Sequence, residues 1–378
     1  MNNSNKIDIS IIRVIIKSIS LFVLLNFLFI LLKDIPYSSI SLYNSVFPGR
    51  ERLPFGETPS ESFNLTMFSL DAMLSSHKIS ADKKTEDDYR IIIIGDSSIW
   101  GFLQKPENTL AGLLDKNIDF QCDGKNVEVF NLGYPSLSVL KDLVILDKVK
   151  SYHPDLVIWF ITLESLVSEE QLKTPLIKNN SLILNKVINN YQLAYPKANI
   201  DLLDYTIIGQ KRNLADNIRL QLYGALWAGS GIDQAFPEEY TPAQSDFEPD
   251  YSYKNFENNK IQRDDLATNV ILKTVSGFPE LDFILINEPI LISSGKNSDI
   301  RYNFYYPRWA YDDYRNIVKS VFEQSAIKYY DFWDLVPESE FTNSAIHLST
   351  IGEEILAANT ESQIKNHCES LEKNENTP

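Results

Sequence analysis

Four β-branched residues in a row, Ile91-Ile92-Ile93-Ile94, run straight into Gly95-Asp96-Ser97-Ser98. An unbroken apolar run of this kind reads as a strand buried on both faces. Such a strand needs helices on both sides of a parallel sheet, so the expected fold class is α/β with a doubly wound parallel sheet. The run stops at a glycine, and a small acid and two hydroxyls follow at once. That sets the Ser97 side chain at the carboxyl end of a parallel strand, where open α/β sheets bind their ligands. Ser97 becomes a nucleophile there if a histidine reaches it.

The rest of the chain supplies the alternation that such a sheet requires. Strands are expected at Tyr89–Ile94, Val127–Asn131, Leu156–Ile161, Asp282–Asn287 and Tyr329–Asp331, with helices at 109–114, 138–149, 264–275, 310–325 and 349–367. The rhythm breaks at 163–262, which reads as a mostly helical insertion over one end of the sheet. Thr206 to Trp227 forms one amphipathic helix in this reading, with Ile207, Leu214, Ile218, Leu222 and Leu226 near one face. Packing of that face on the sheet is the expectation; a lid or a helix on a membrane surface is the alternative.

The amino terminus has a different character. Val14 to Leu32 is an apolar span of 19 residues interrupted only by Lys17 and Asn26, within the roughly 17–25 residues that cross a bilayer. Lys33-Asp34-Ile35-Pro36 follows in place of a small-residue cleavage site, so an uncleaved anchor is expected. Lys6 and Arg13 precede the span and Lys17 lies in its first turn, which directs the amino terminus to the cytoplasm and the remainder outside the cell membrane. The chain divides into a cytoplasmic 1–13, the anchor 14–32, a proline-broken juxtamembrane segment 33–88 with one short helix near 63–75, the α/β domain 89–367 and a frayed polar tail 368–378. The net charge is -16 and no basic cluster is present, which argues against nucleic acid as a partner. Two cysteines, Cys122 and Cys368, leave their pairing open. No cysteine–histidine cluster and no glycine-rich phosphate loop occur, so neither a metal nor a nucleotide cofactor is expected.

Only four histidines are available as the base. His153 precedes a strand and falls at the wrong edge of the sheet, His77 precedes the sheet, and His367 is near the end of the chain. His347 lies in Thr342-Asn343-Ser344-Ala345-Ile346-His347-Leu348, between the last strand and the last helix, at the same edge as Ser97. The loop after Asn287 also leaves that edge. Asn287, Glu288, Arg301 and Tyr305 are its expected substrate contacts, tyrosine and arginine being suited to a sugar face or an anionic group. Packing of the loop as an aromatic cluster is the alternative.

Gly95-Asp96-Ser97 after a buried strand, and His347-Leu348 with Gly352 before a final helix, resemble the SGNH/GDSL hydrolase superfamily, whose members are esterases, lipases and deacetylases with a three-layer α/β sandwich. The resemblance spans residues 88–365. It implies that Ser97 is the nucleophile and that its N–H serves the oxyanion hole. It implies a second donor in the Gly133 N–H of Asn131-Leu132-Gly133. Two blocks depart from the pattern. The asparagine of the usual Gly-x-Asn-Asp is missing from Ile161-Thr162-Leu163-Glu164-Ser165, which leaves Thr162 as a substitute donor. The aspartate three before the histidine is replaced by Ser344, with Asn343 one further back, so these two are expected to orient the ring. Asp96 reads as structural and Glu164 as a salt-bridge partner.

The expected function is therefore a membrane-anchored, extracytoplasmic serine esterase or deacylase. It acts on O-acyl esters of an envelope glycan or lipid through a Ser97–His347 dyad. The lipid bilayer is its partner through residues 14–32. An envelope O-acyltransferase of the same fold and a noncatalytic binding domain are the alternatives.

Overall fold

The structure is a computed structural model that describes residues 10–32, 46–47, 49–56, 68–230, 234, 236–256 and 260–375. Six strands form one sheet: β1 (Asp88–Ile94), β2 (Gln121–Cys122), β3 (Lys125–Asn131), β4 (Leu156–Ile161), β5 (Asp282–Asn287) and β6 (Lys328–Asp331), in the order β2-β3-β1-β4-β5-β6. All pairings are parallel except the β2–β3 hairpin. The five expected strands are all present; the two-residue β2 is additional. From β1 the chain crosses to β3 on one side and later to β4 on the other. The carboxyl ends of β1 and its neighbours therefore frame the crevice where such sheets place ligands.

Strand alternation explains why the isoleucine run is needed. Ile92 and Ile94 enter one core with side chains of the helices Val139–Val149, Thr268–Gly277 and Arg308–Glu323. Ile91 and Ile93 enter the other with side chains of the helices Leu110–Asn117 and Thr350–Glu375. Both faces of the strand are dry, so every position must be apolar. The sheet is doubly wound and three-layered, as the sequence predicts.

Three regions differ from the expectation or extend it. The last helix continues to Glu375, where a frayed tail from 368 is predicted. Cys368 is buried and disulfide-bonded to Cys122 on β2, which ties that helix to the sheet edge. Of residues 33–88, Leu70–Leu74 and Lys78–Ala81 are helical; residues 57–67, with the start of the predicted 63–75 helix, lie outside the described residues, as do 33–45. The amphipathic helix spans Lys211–Ser230, and its apolar row does not pack on the sheet: Ile218, Leu222 and Leu226 are exposed. The amino-terminal helix Ile11–Leu31 is long and apolar enough to cross a membrane.

Candidate active site

Ser97 stands at the first position of a single-turn helix, Ser97–Trp100. Asp96 caps that turn: its carboxylate accepts the Ser98 N–H at 2.9 Å. The Ser97 N–H, first in the turn, has no acceptor within the helix. At the other end, buried Arg52 donates to the Trp100 and Gly101 carbonyls at 3.1 and 2.7 Å and stacks on Trp100 at 4.0 Å. A cation here satisfies carbonyls that a helix end leaves open. The segment that carries Arg52 thus helps to hold the turn of Ser97. Gly133 passes so close that a Cβ on it would lie 2.6 Å from the Trp100 nitrogen and 2.9 Å from the Ile99 carbonyl carbon. Only glycine permits that approach.

His347 completes the geometry. Its loop is closed by the Thr342 N–H donating to the His347 carbonyl at 2.9 Å, and pinned by the Leu291 N–H donating to the Ala345 carbonyl at 2.8 Å. Nδ1 lies 2.8 Å from Asn343 Oδ1, and Nε2 lies 2.8 Å from Ser97 Oγ. Oδ1 only accepts, so Nδ1 carries the proton and donates it. Nε2 is then the free base that accepts the Ser97 hydroxyl. Phe102 stacks on the ring at 4.9 Å between centroids. Burial disfavours the imidazolium and lowers the pKa to about 4, so the ring is neutral at physiological pH.

A cavity of about 610 Å³ opens on this pair. Ser97, His347, Asn343 and Ser344 lie at its polar end, and Phe55, Phe68, Phe102, Tyr134, Pro135, Pro175 and Tyr305 form its walls. Ser136 also lines it, and its buried hydroxyl has no hydrogen-bond partner among the described residues. Beneath the site runs a buried polar layer. The Lys141 ammonium donates to the Gly95 carbonyl at 2.6 Å and the Tyr134 carbonyl at 2.9 Å and pairs with Asp142 at 2.6 Å; Asp142 also accepts from Trp159 Nε1 at 3.0 Å. One cation thereby fastens the loop before Ser97 to the loop after Gly133. Glu288 accepts from the Ser98 hydroxyl. Burial first, and the neighbouring Asp96 charge second, hold Glu288 well above the ordinary carboxyl range.

The structure brings some predicted site residues together and removes others. Ser97, His347, Asn343, Ser344 and Tyr305 meet at the cavity. The Gly133 N–H is taken by Asn131 Oδ1 at 3.0 Å, inside a local turn, so the expected second oxyanion donor is already occupied. Thr162 is fully buried off the cavity. It caps the helix Leu163–Leu166, its N–H donates to Ser165 Oγ at 3.0 Å, and its hydroxyl meets the Tyr306 hydroxyl at 3.3 Å. Asn287 is fully buried, donating to Asp331 at 2.7 Å and accepting from Tyr314 at 2.8 Å. Glu288 belongs to the layer under the turn. Arg301 is a loop staple, held by the Asn303, Asp250 and Phe304 carbonyls. None of these five residues lines the cavity. Glu164 pairs with Lys254, as expected of a salt-bridge partner. Of the other histidines, His77 is buried with Nε2 2.9 Å from the Asn131 carbonyl, and His367 lies between Tyr89 and Lys328. Sequence reasoning missed Ser136 and Lys141. The Lys141-Asp142 pair, set between Leu140 and Leu143 in the 139–149 helix, was the available signal for the second.

No protein-family profile matches the chain, and no curated protein does. Among solved structures the chain is similar to an active-site mutant of a family two carbohydrate esterase from Clostridium thermocellum, at 9% identity and a TM-score of 0.34 over 74% of this chain. The match spans 63% of that esterase, just under two thirds of its length. A carbohydrate acetylesterase from Sinorhizobium meliloti matches at 10% identity and a TM-score of 0.34, over 74% of this chain and 99% of that one. An aryl esterase from M. smegmatis matches at 10% identity and a TM-score of 0.32, over 74% and 99%.

Proposed function

We propose that this chain is a membrane-anchored, extracytoplasmic serine esterase of the SGNH/GDSL type that removes O-acyl groups from an envelope glycan or lipid. The observation that carries the reading is the relay Asn343 Oδ1–His347–Ser97, two contacts of 2.8 Å each, opening on one cavity. Ser97 Oγ attacks the acyl carbon while its proton passes to His347 Nε2. The Ser97 N–H receives the developing oxyanion, and the Ser136 hydroxyl is the second donor in this proposal, in place of Gly133 and Thr162. The imidazolium returns its proton to the leaving alcohol as the C–O bond breaks, and the acyl group remains on Ser97. Water, deprotonated by His347, then releases it as a carboxylic acid. Asn343 fixes the tautomer by a neutral hydrogen bond, the part an aspartate plays in a full triad.

The Cys122–Cys368 disulfide supports placement in an oxidising compartment outside the cytoplasm, and the helix Ile11–Leu31 supports the anchor. The aromatic walls suit an acylated sugar ring or a short acyl chain. Hydrolysis of p-nitrophenyl acetate by the purified full chain tests the activity. Wild type turns over, whereas Ser97→Ala and His347→Ala each lose about 10³-fold or more. Equal rates in wild type and Ser97→Ala would end this reading.

A further inference from the structure

We propose that the exposed apolar face of the helix Lys211–Ser230 is a lipid-docking surface, lying in the headgroup region of the bilayer beside the Ile11–Leu31 span; this rests on the membrane anchoring proposed above. Ile218, Leu222 and Leu226 recur every four residues, so they share one face, and they are 60%, 68% and 66% exposed. Leu202, Leu203 and Ile208 extend the exposed apolar surface along the chain before the helix. Apolar surface on this scale marks a partner or a membrane. The opposite side of the helix is fixed. Asp216 accepts the Phe68 and Ser69 N–H groups at 3.0 and 3.2 Å, and Leu220 is fully buried. The bare face is therefore held outward by a docked helix.

Two observations choose lipid as the occupant. The first is depth. The Ile207 N–H donates to Asn26 Oδ1 at 3.0 Å, and Asn26 is buried while apolar side chains around it on the span are exposed. Asn26 precedes the end of its helix at Leu31 by five residues, about 7.5 Å at 1.5 Å per residue. Interfacial helices sink roughly 5–10 Å into the boundary between headgroups and acyl chains, so the contact brings Ile207, four residues before the amphipathic helix, to that level. The second is charge. Within Lys211–Ser230, Lys211, Arg212 and Arg219 stand against Asp216 alone, in a chain of net charge -16. A locally basic helix suits lipid phosphates. Phe68, held by Asp216 and covered by Arg212 at 4.4 Å, is also a wall of the cavity, so this contact seats one side of the site near the bilayer.

Nitroxide accessibility in the full chain tests this, in proteoliposomes of phosphatidylcholine with phosphatidylglycerol. Labels go on Leu222→Cys, on Ile218→Cys as a second reporter, on Phe22→Cys in the span and on exposed Lys116→Cys as an aqueous reference; the disulfide occupies both native cysteines. The expected result is an oxygen-to-aqueous-nickel collision ratio several-fold higher at 222 and 218 than at 116, below that at 22. Aqueous values at 222 and 218 with a lipid value at 22 would overturn the lipid-docking proposal and leave the anchor standing. Aqueous values at all three would end both. Dipolar broadening at 222 that is lost on dilution with unlabelled protein would assign the face to a second copy and overturn the proposal.

Discussion

In the proposed mechanism, His347 does at residue scale what a triad does with a carboxylate, but with a neutral partner. Its neutral form must accept the Ser97 proton, and burial lowers its pKa to about 4. Below that pH the ring is protonated and cannot act as base, so kcat/KM rises with pH through about 4 and is level at neutrality. Asn343→Asp places a negative charge where Oδ1 now sits, 2.8 Å from Nδ1. The charge stabilises the imidazolium, so the acid limb of the pH–rate profile moves upward. An unmoved limb would mean that Asn343 does not hold the working histidine. The pair itself was legible in the sequence, because glycine, acid and serine after a buried strand and a histidine before the last helix fix which edge each occupies. The residues around it were less legible. Asn287 was placed at the correct edge, but β5 alternates, and Phe283 and Leu285 already face the helix that carries Tyr311 and Tyr314. Asn287 shares their parity and turns to the same side, away from substrate. Thr162 and Gly133 failed for a related reason: a donor's position in the chain does not say whether its hydrogen bond is already spent locally.

At the scale of elements, the turn that carries Ser97 depends on the helix Val139–Val149 through Lys141. The ammonium is fully buried and joins two loop carbonyls to Asp142. Lys141→Met fills similar space but leaves Asp142 buried without its cation, which costs about 3–5 kcal/mol. Urea unfolding of the variant should show that loss, together with reduced turnover. A wild-type midpoint would show that the layer does not support the turn. The strands and main helices were readable because period two and period 3.6 are local signals. The 211–230 helix shows the limit of such signals. Its amphipathic pattern was visible, yet periodicity reports that a face is apolar and not which surroundings will cover it. The carboxyl-terminal helix shows another limit, since the pairing that holds Cys368 against Cys122 spans 246 residues and leaves no local trace.

For the whole molecule, an apolar amino-terminal helix is joined to an α/β body, and the turn that carries Ser97 is braced by the segment between them. If the helix is an anchor, alkaline carbonate leaves the full chain in the membrane fraction, and a chain lacking residues 1–32 appears in the supernatant. Release of the full chain by carbonate would count against anchoring while leaving the catalytic site untouched. The central claim concerns that site: Ser97 is a nucleophile activated by His347. The most direct measurement is intact-mass and peptide mapping after treatment with a fluorophosphonate. The account predicts one adduct, on the peptide carrying Ser97, absent in Ser97→Ala and strongly slowed in His347→Ala. No adduct, or one that persists in Ser97→Ala, would contradict it.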